Sequence, residues 1–408
     1  MDDLHGNLRG IIEHMDDIQN LGIDVLYMTP IFQSNSCHKY DTTDYYQIDP
    51  SFGTTEDLKE LVQKAHERGM KVVLDAVYNH TGREFFAFAD ILENGEKSKY
   101  RDWYFIDGFP LKSEWGEIPN FKCFGYYGGM PKLNLKNPEV EKYITDVACY
   151  WIKECDIDGW RLDVGDEISH FFWKNFRKAV KAVKKDMLII GEIWHYAGDF
   201  LEGDEWDTVM NYPFYLNLID LLADEKITVS QFVQNLGYLK GRLHKNCYPL
   251  MWNLIDSHDT ARFLHLCNDN KKKQHLAAAF QLLLPGMPMI YYGDEYAMPG
   301  ANDPDCRRGM YWDEEYQDKE MYEWYKRLIQ VRKSHACIVE GELAGSVTED
   351  EEGTIVLIRK NGEETIAMIF NCSSSAKKFN EYTQKYNLLT ENTFDGNVEG
   401  FDAAVIVL

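Results

Sequence analysis

The stretch GWRLDVGDE (159–167) is apolar at alternate positions and charged between them. Read as a strand, it puts Trp160, Leu162 and Val164 on one face and Arg161 and Asp163 on the other. With one face in water the charged pair would be an ordinary solvated surface; with both faces covered it would be a buried pair at a site. The flanking chain decides. Short apolar runs recur at 23–30, 71–77, 158–164, 187–194, 206–212, 249–256 and 287–293. Between them lie amphipathic helical stretches such as TTEDLKELVQKAHERG (54–69) and HFFWKNFRKAVKAVKK (170–185). Strand and helix in repeated alternation mean parallel strands joined by helical crossovers, and at this length the α/β (β/α)8 barrel leads over an open doubly wound sheet.

Two segments break the alternation. Residues 81–137 are rich in aromatics, Gly and Pro, show no long helical period, and read as a small inserted lobe. After about residue 338 the pattern turns to short alternating runs, TIVLIRK (354–360), TIAMIF (365–370) and AAVIVL (403–408), separated by polar turns. This is the pattern of a small antiparallel β domain. The expected organisation is a barrel from 1–80 and 138–337, a lobe at 81–137 and a C-terminal β domain at 338–408.

The 408 residues, 45% hydrophobic and 14% aromatic, suit a well-packed globular chain. A net charge of -24 opposes a polyanionic partner, so nucleic acid is excluded as a partner and a neutral substrate fits. Nine scattered cysteines form no CxxC pair and no zinc spacing, which indicates reduced thiols and a cytoplasmic location. The opening MDDLHGNLRG does not look like a signal peptide. The longest apolar run, 276–292, is interrupted by Gln281, Pro285, Gly286 and Pro288, so no membrane partner is expected.

In a barrel of this kind the carboxyl ends of the strands build the active site. Those ends carry Asp75 with Asn79 and His80, Arg161 with Asp163, Glu192 with Trp194 and His195, and His258 with Asp259. One such Asp alone reads equally well as a structural ion pair. Three carboxylates, Asp163, Glu192 and Asp259, from three strand ends are costly unless a function holds them, and glycosidic bond cleavage requires carboxylates whose pKa values are pushed apart. Trp194 and Tyr40 offer flat faces for sugar rings.

The motifs DAVYNH (75–80), GWRLDVGDE (159–167), GEIWH (191–195) and NLIDSHDT (253–260) stand in the order and at the spacing of the α-amylase superfamily of glycoside hydrolases, which the chain resembles. MPKLN (130–134) resembles the form found in the neopullulanase, cyclomaltodextrinase and maltogenic amylase branch. HKYDTTDYYQIDPSFG (38–53), EWDTVMNYPF (205–214), GMPMIYYGDE (286–295) and DPDCRRGMYWDE (303–314) extend the resemblance over nearly the whole chain.

The resemblance implies roles. Asp163 corresponds to the nucleophile, Glu192 to the general acid and base, and Asp259 to the carboxylate that stabilises the transition state. Arg161 keeps Asp163 ionised, whereas Glu192 is expected in an enclosed pocket that raises its pKa. His80 and His258 match residues that hydrogen-bond the sugar, and Tyr40 the ring stacked beneath it. Trp194 borders the leaving-group side, His195 is a further substrate-binding candidate, and Asp303 and Arg307 match a pair gripping the non-reducing end. The implied activity is retaining hydrolysis of α-1,4-glucosidic bonds in maltooligosaccharides or cyclodextrins, extending to pullulan and starch with some transglycosylation. Rivals are an α-amylase, α-glucosidase or oligo-1,6-glucosidase of a neighbouring branch, and a catalytically inactive sugar-binding barrel, whose signature would be a lost carboxylate. None of the three is lost.

No cofactor is expected to be required. A structural calcium ion stays open, because Asn79 matches one ligand position but no full set of oxygen ligands can be assembled. HGNLRGIIEHMDDIQNLG (5–22) resembles the family's first barrel helix with no strand before it. That would leave edges at 23–30 and 287–293 to be covered, from which a homodimer is expected.

Overall fold

The computed structural model describes residues 6–112 and 118–408, in two compact units, Met1–Ile193 with Asp199–Val209, and Trp194–Gly198 with Met210–Leu408. The first unit begins with two short helices, Leu8–Glu13 and Met15–Leu21, where the sequence reads as one. The break has a local cause: Asn7 caps the first helix through the Gly10 N–H, His14 leaves helical geometry, and Gly22 closes the second at φ 99°.

Its strands are β1 (Val25–Met28), β2 (Phe32–Ser34), β3 (Thr42–Ile48), β4 (Lys71–Ala76), β5 (Gly159–Leu162), β6 (Leu188–Gly191) and β7 (Thr208–Val209). β1, β4, β5, β6 and β7 form one parallel sheet in that order, and β2 pairs antiparallel with β3. Each crossover helix has a sequence reason. Thr55–Glu67 starts in a capping box between Thr54 and Asp57 and buries Leu58, Leu61, Val62 and Ala65, one stripe at helical spacing. Pro138–Cys155 and His170–Val183 start on Asn137 and Ser169 caps.

β5 answers the question posed by its sequence: Trp160, Arg161 and Leu162 are all fully buried, so both faces are covered. The parallel register sets Asp75 of β4 beside Arg161 of β5. The expected alternation ends at Leu162, however. Val164 does not continue an apolar face; it turns into the left-handed region at φ 47° and starts the short helix Gly165–Glu167. A β-branched residue is strained there, a cost met mainly at functional sites.

Within 81–137 the chain contains the helix Phe86–Asn94, which the sequence did not announce. FAFADILEN is apolar nearly all round and Phe85 supplies no side-chain cap, so neither signal of a surface helix is present. The segment 130–134 returns to the sheet: Thr81 N–H donates to Pro131 O and Leu133 N–H to Asn79 O.

The second unit holds β8 (Trp252–Asn253) and β9 (Met287–Pro288), a parallel pair, with the helices Tyr212–Leu222, Val229–Arg242, Lys271–Leu283 and Lys319–Ser334. All seven apolar runs read from the sequence thus contain a parallel strand. A six-stranded sheet follows, with all its ladders antiparallel, running in the order Glu342–Glu349, Thr354–Asn361, Glu364–Asn371, Asp402–Val407, Tyr386–Asn387, Asn392–Thr393. Its core includes Val356, Ile369, Phe394 and Ile406. Among the described residues no helix is long and apolar enough to cross a membrane, and all nine cysteines are reduced.

Candidate active site

Arg161 organises the first unit's share of the functional residues. Its Nη1 donates to both oxygens of Asp75 at 3.2 and 3.0 Å and to Asp163 Oδ1 at 3.2 Å, while Nη2 lies 2.9 Å from Glu192 Oε2. All four side chains are buried. One guanidinium therefore faces three carboxylates. Asp163 and Glu192 follow directly on the ends of β5 and β6. Asp163 N–H bonds to Ala76 O, Glu192 N–H to Leu162 O, and the turned-back Val164 N–H donates to Glu192 Oε2 at 3.0 Å. Gly191 is required just before Glu192, because a Cβ there would run into the Trp206 ring. The sequence reading gave Arg161 to Asp163 alone; the structure has it serve Glu192 as well, because the register puts both carboxylates within reach of the same fork.

Asp75, to which no role was assigned from the motifs, accepts from Arg161 Nη1 through both of its oxygens. It also accepts from Tyr27 Oη at 2.7 Å and Tyr40 Oη at 3.1 Å. Burial pushes its carboxyl up to about 6, against the Arg161 charge and the Tyr27 hydrogen bond that pull it down. The raised value means the folded chain binds this proton more tightly than the unfolded chain. The group's contribution to stability is complete below the ordinary carboxylate range and is lost as pH rises through about 6. Activity should move the other way, since protonation withdraws the charge that fixes Arg161. We expect kcat/KM to fall on an acid limb centred near pH 6, and Asp75→Asn to abolish that limb at a lower activity throughout. A pH–rate profile of the two proteins checks this, and an unchanged limb in the variant would rule Asp75 out.

His80 is buried, and burial lowers its imidazole to about 4, so it is neutral at ordinary pH. Its Nε2 donates to Tyr40 O at 3.0 Å, and its ring stacks on Phe124 at 5.2 Å. Tyr40 is thus tied at its carbonyl and its hydroxyl. Beside His80, Asn79 Nδ2 donates to Glu167 Oε2 at 3.1 Å, and Lys132 Nζ reaches the same oxygen at 2.7 Å. Among the described residues no group of three or more His, Cys, Asp or Glu side chains is placed to hold a metal.

In the second unit His258 Nε2 lies 3.2 Å from Asp259 Oδ2, and Arg307 Nη2 lies 3.5 Å from Asp259 Oδ1. Arg307 Nε donates to His258 O at 2.8 Å and pairs with Asp303 Oδ1 at 2.9 Å. His258, Asp259, Asp303 and Arg307 therefore form one group, in which Arg307 is the partner of both carboxylates. Trp194 stacks one face on Tyr212 at 3.8 Å and is 40% exposed, and His195 is exposed. Tyr27, Asp75, Lys132 and Glu167 carry no signal by residue type alone. The register of β4 on β5 would have found Asp75.

A family model for the α-amylase catalytic domain matches residues 1–319. A cyclomaltodextrinase of Geobacillus thermopakistaniensis is 48% identical over 371 residues, 91% of this chain and 63% of that protein. An intracellular maltogenic amylase of Bacillus subtilis is 43% identical over 90% of this chain and 62% of its own length. A solved cyclomaltodextrinase structure superposes with a TM-score of 0.94 at 39% identity, covering 98% of this chain and 71% of that one. The chain belongs to the α-amylase family of glycoside hydrolases, as a (β/α) barrel with an inserted lobe and a C-terminal antiparallel β domain. Within the family it falls in the branch of the cyclomaltodextrinases and maltogenic amylases, spanning somewhat less than two thirds of the two relatives' length.

Proposed function

We propose that the chain is a retaining α-glucan hydrolase that cleaves α-1,4-glucosidic bonds of maltooligosaccharides or cyclodextrins. The observation that carries this reading is the pair Asp163 and Glu192 held by adjacent nitrogens of one buried guanidinium. That close pairing favours the roughly 5 Å carboxyl separation of a double displacement over the 6.5–9.5 Å or so of an inverting enzyme.

Asp163 attacks the anomeric carbon while Glu192 gives its proton to the departing glycosidic oxygen, leaving a covalent glycosyl ester. Glu192 then takes a proton from water, whose oxygen displaces Asp163 from the same carbon. Two inversions retain the α configuration. Asp259, held by His258 and Arg307, serves as the third carboxylate, and Tyr40, His80 and His258 as sugar contacts. Trp194 with its exposed face borders the leaving group, His195 is a further substrate contact, and the Asp303–Arg307 pair meets the chain end. Fresh product should be the α anomer by proton NMR; a β anomer at early times would sink the mechanism. Maltotriose and β-cyclodextrin should show a higher kcat/KM than amylose, starch and pullulan, and the reverse order would overturn the small-substrate reading.

Nine reduced cysteines and an intracellular relative support a cytoplasmic location. We also propose self-association into a homodimer. Light scattering of the active protein decides this, a stable monomer counting against it.

A further inference from the structure

Lys132 sits where three segments meet. Its own segment, 130–134, pairs with 79–81 after β4, through Thr81 N–H to Pro131 O at 3.1 Å and Leu133 N–H to Asn79 O at 3.0 Å. Its ammonium crosses to the turn after β5, donating to Glu167 Oε2 at 2.7 Å and to Glu167 O at 3.1 Å. Asn79 Nδ2 donates to the same Oε2 at 3.1 Å, and stands 3.4 Å from His80 Nδ1. Asn79 is the residue that matches a calcium ligand of the family, so this is where a calcium ion would be looked for.

The donor set does not fit that ion. Calcium takes six to eight oxygens with no cation among them. Here Asn79 turns its N–H groups to Glu167, and the Glu167 oxygen that would ligate a metal already accepts from two nitrogens, one of them charged. Asn79 Oδ1 is buried without a hydrogen-bond partner in the structure, a single bare oxygen. A divalent ion would have to displace a positive charge held on its own chain.

We propose that the Lys132 ammonium acts as a built-in cation at this point, tying the lobe at 130–134 to the ends of β4 and β5 and so positioning His80 without metal. An ammonium suits this role because it offers three N–H donors and a unit charge on a stem long enough to bridge the segments. An isolated, partly exposed ion pair would contribute little, but here the same nitrogen also holds a backbone carbonyl, which fixes the turn itself. Lys132 is a positioning residue, and its effect on turnover rests on the reading of His80 as a sugar contact; its effect on metal response does not.

The test compares thermal unfolding and kinetics of the whole chain in excess EDTA and in excess calcium chloride. The wild type should unfold at the same temperature and turn over at the same rate in both. Lys132→Met should lower Tm by about 2–4 °C and raise KM for maltotriose more than it lowers kcat, with no response to calcium, while Lys132→Arg should recover most of the loss. Lys132→Asp, which replaces the ammonium by a carboxylate on the same segment, should become calcium-responsive, its Tm rising on addition of the ion. A wild type that loses Tm in EDTA overturns the proposal. So does a folded Lys132→Asp indifferent to calcium, or a Lys132→Met equal to wild type in both Tm and KM. If Lys132→Asp does not fold, the wild-type and Lys132→Met measurements still decide.

Discussion

Asp163→Asn should cut kcat on β-cyclodextrin or maltotriose by a factor on the order of 10⁴ or more while leaving the far-ultraviolet circular dichroism and Tm near wild type. The size follows from removing the group that forms the covalent bond, since members of a catalytic unit are each close to indispensable. Preserved folding follows from the geometry: an amide of the same shape still accepts from Arg161 Nη1, and it subtracts a negative charge from a site where three carboxylates share one guanidinium. Glu192→Gln should be comparably inactive, but the two losses differ in kind. Azide added to Asp163→Gly should attack the substrate directly and give the β-glycosyl azide. Added to Glu192→Gly on a substrate with a good leaving group, it should intercept the covalent intermediate and give the α product. Exchanged stereochemistry would reverse the assignment of nucleophile and acid.

The sequence made much of this legible because its signals were local. The seven apolar runs each contain a parallel strand; β5, and β4 beyond the exposed Lys71, are buried on both faces and apolar but for the site residues Asp75 and Arg161. The capping box at Thr54 and Asp57 needs only four consecutive residues. What was missed depends on how distant segments align. Asp75 is an ordinary strand-end acid until the register of β4 on β5 places it against Arg161. The role of Lys132 appears only once 130–134 lies against 79–81. Val164 read as one more apolar strand residue, because nothing in its type announces a left-handed turn; in that turn its N–H donates to the Glu192 carboxylate. Arg307 was assigned with Asp303 to the substrate from resemblance, and only coordinates could show it also paired with Asp259.

Arg161→Met should be the most damaging single change to folding, and should impair activity as well. Arg161 is fully buried, and its removal leaves Asp75, Asp163 and Glu192 without their shared counter-charge in a place water does not reach freely. Breaking a buried charge group this way costs roughly 3–5 kcal/mol, a large share of a total stability of about 5–15 kcal/mol, so Tm should drop by about 4–6 °C. Catalysis should fall at least about 10³-fold in addition, because the two reacting carboxylates lose the fork that sets their separation. Arg161→Lys keeps the charge but not the fork: one ammonium cannot reproduce contacts spread over Nη1 and Nη2, so stability should return in part and activity hardly at all. Adding Asp75→Asn to Arg161→Met separates the two effects. Removing one of the stranded carboxylates should restore stability well beyond the sum of the single changes, the sign of direct coupling, while turnover stays low because Asp163 and Glu192 remain unheld. A thermal-unfolding double-mutant cycle with parallel kcat measurements decides it. An additive cycle, or a double variant that regains turnover along with stability, would show that Arg161 balances charge without positioning the reacting pair.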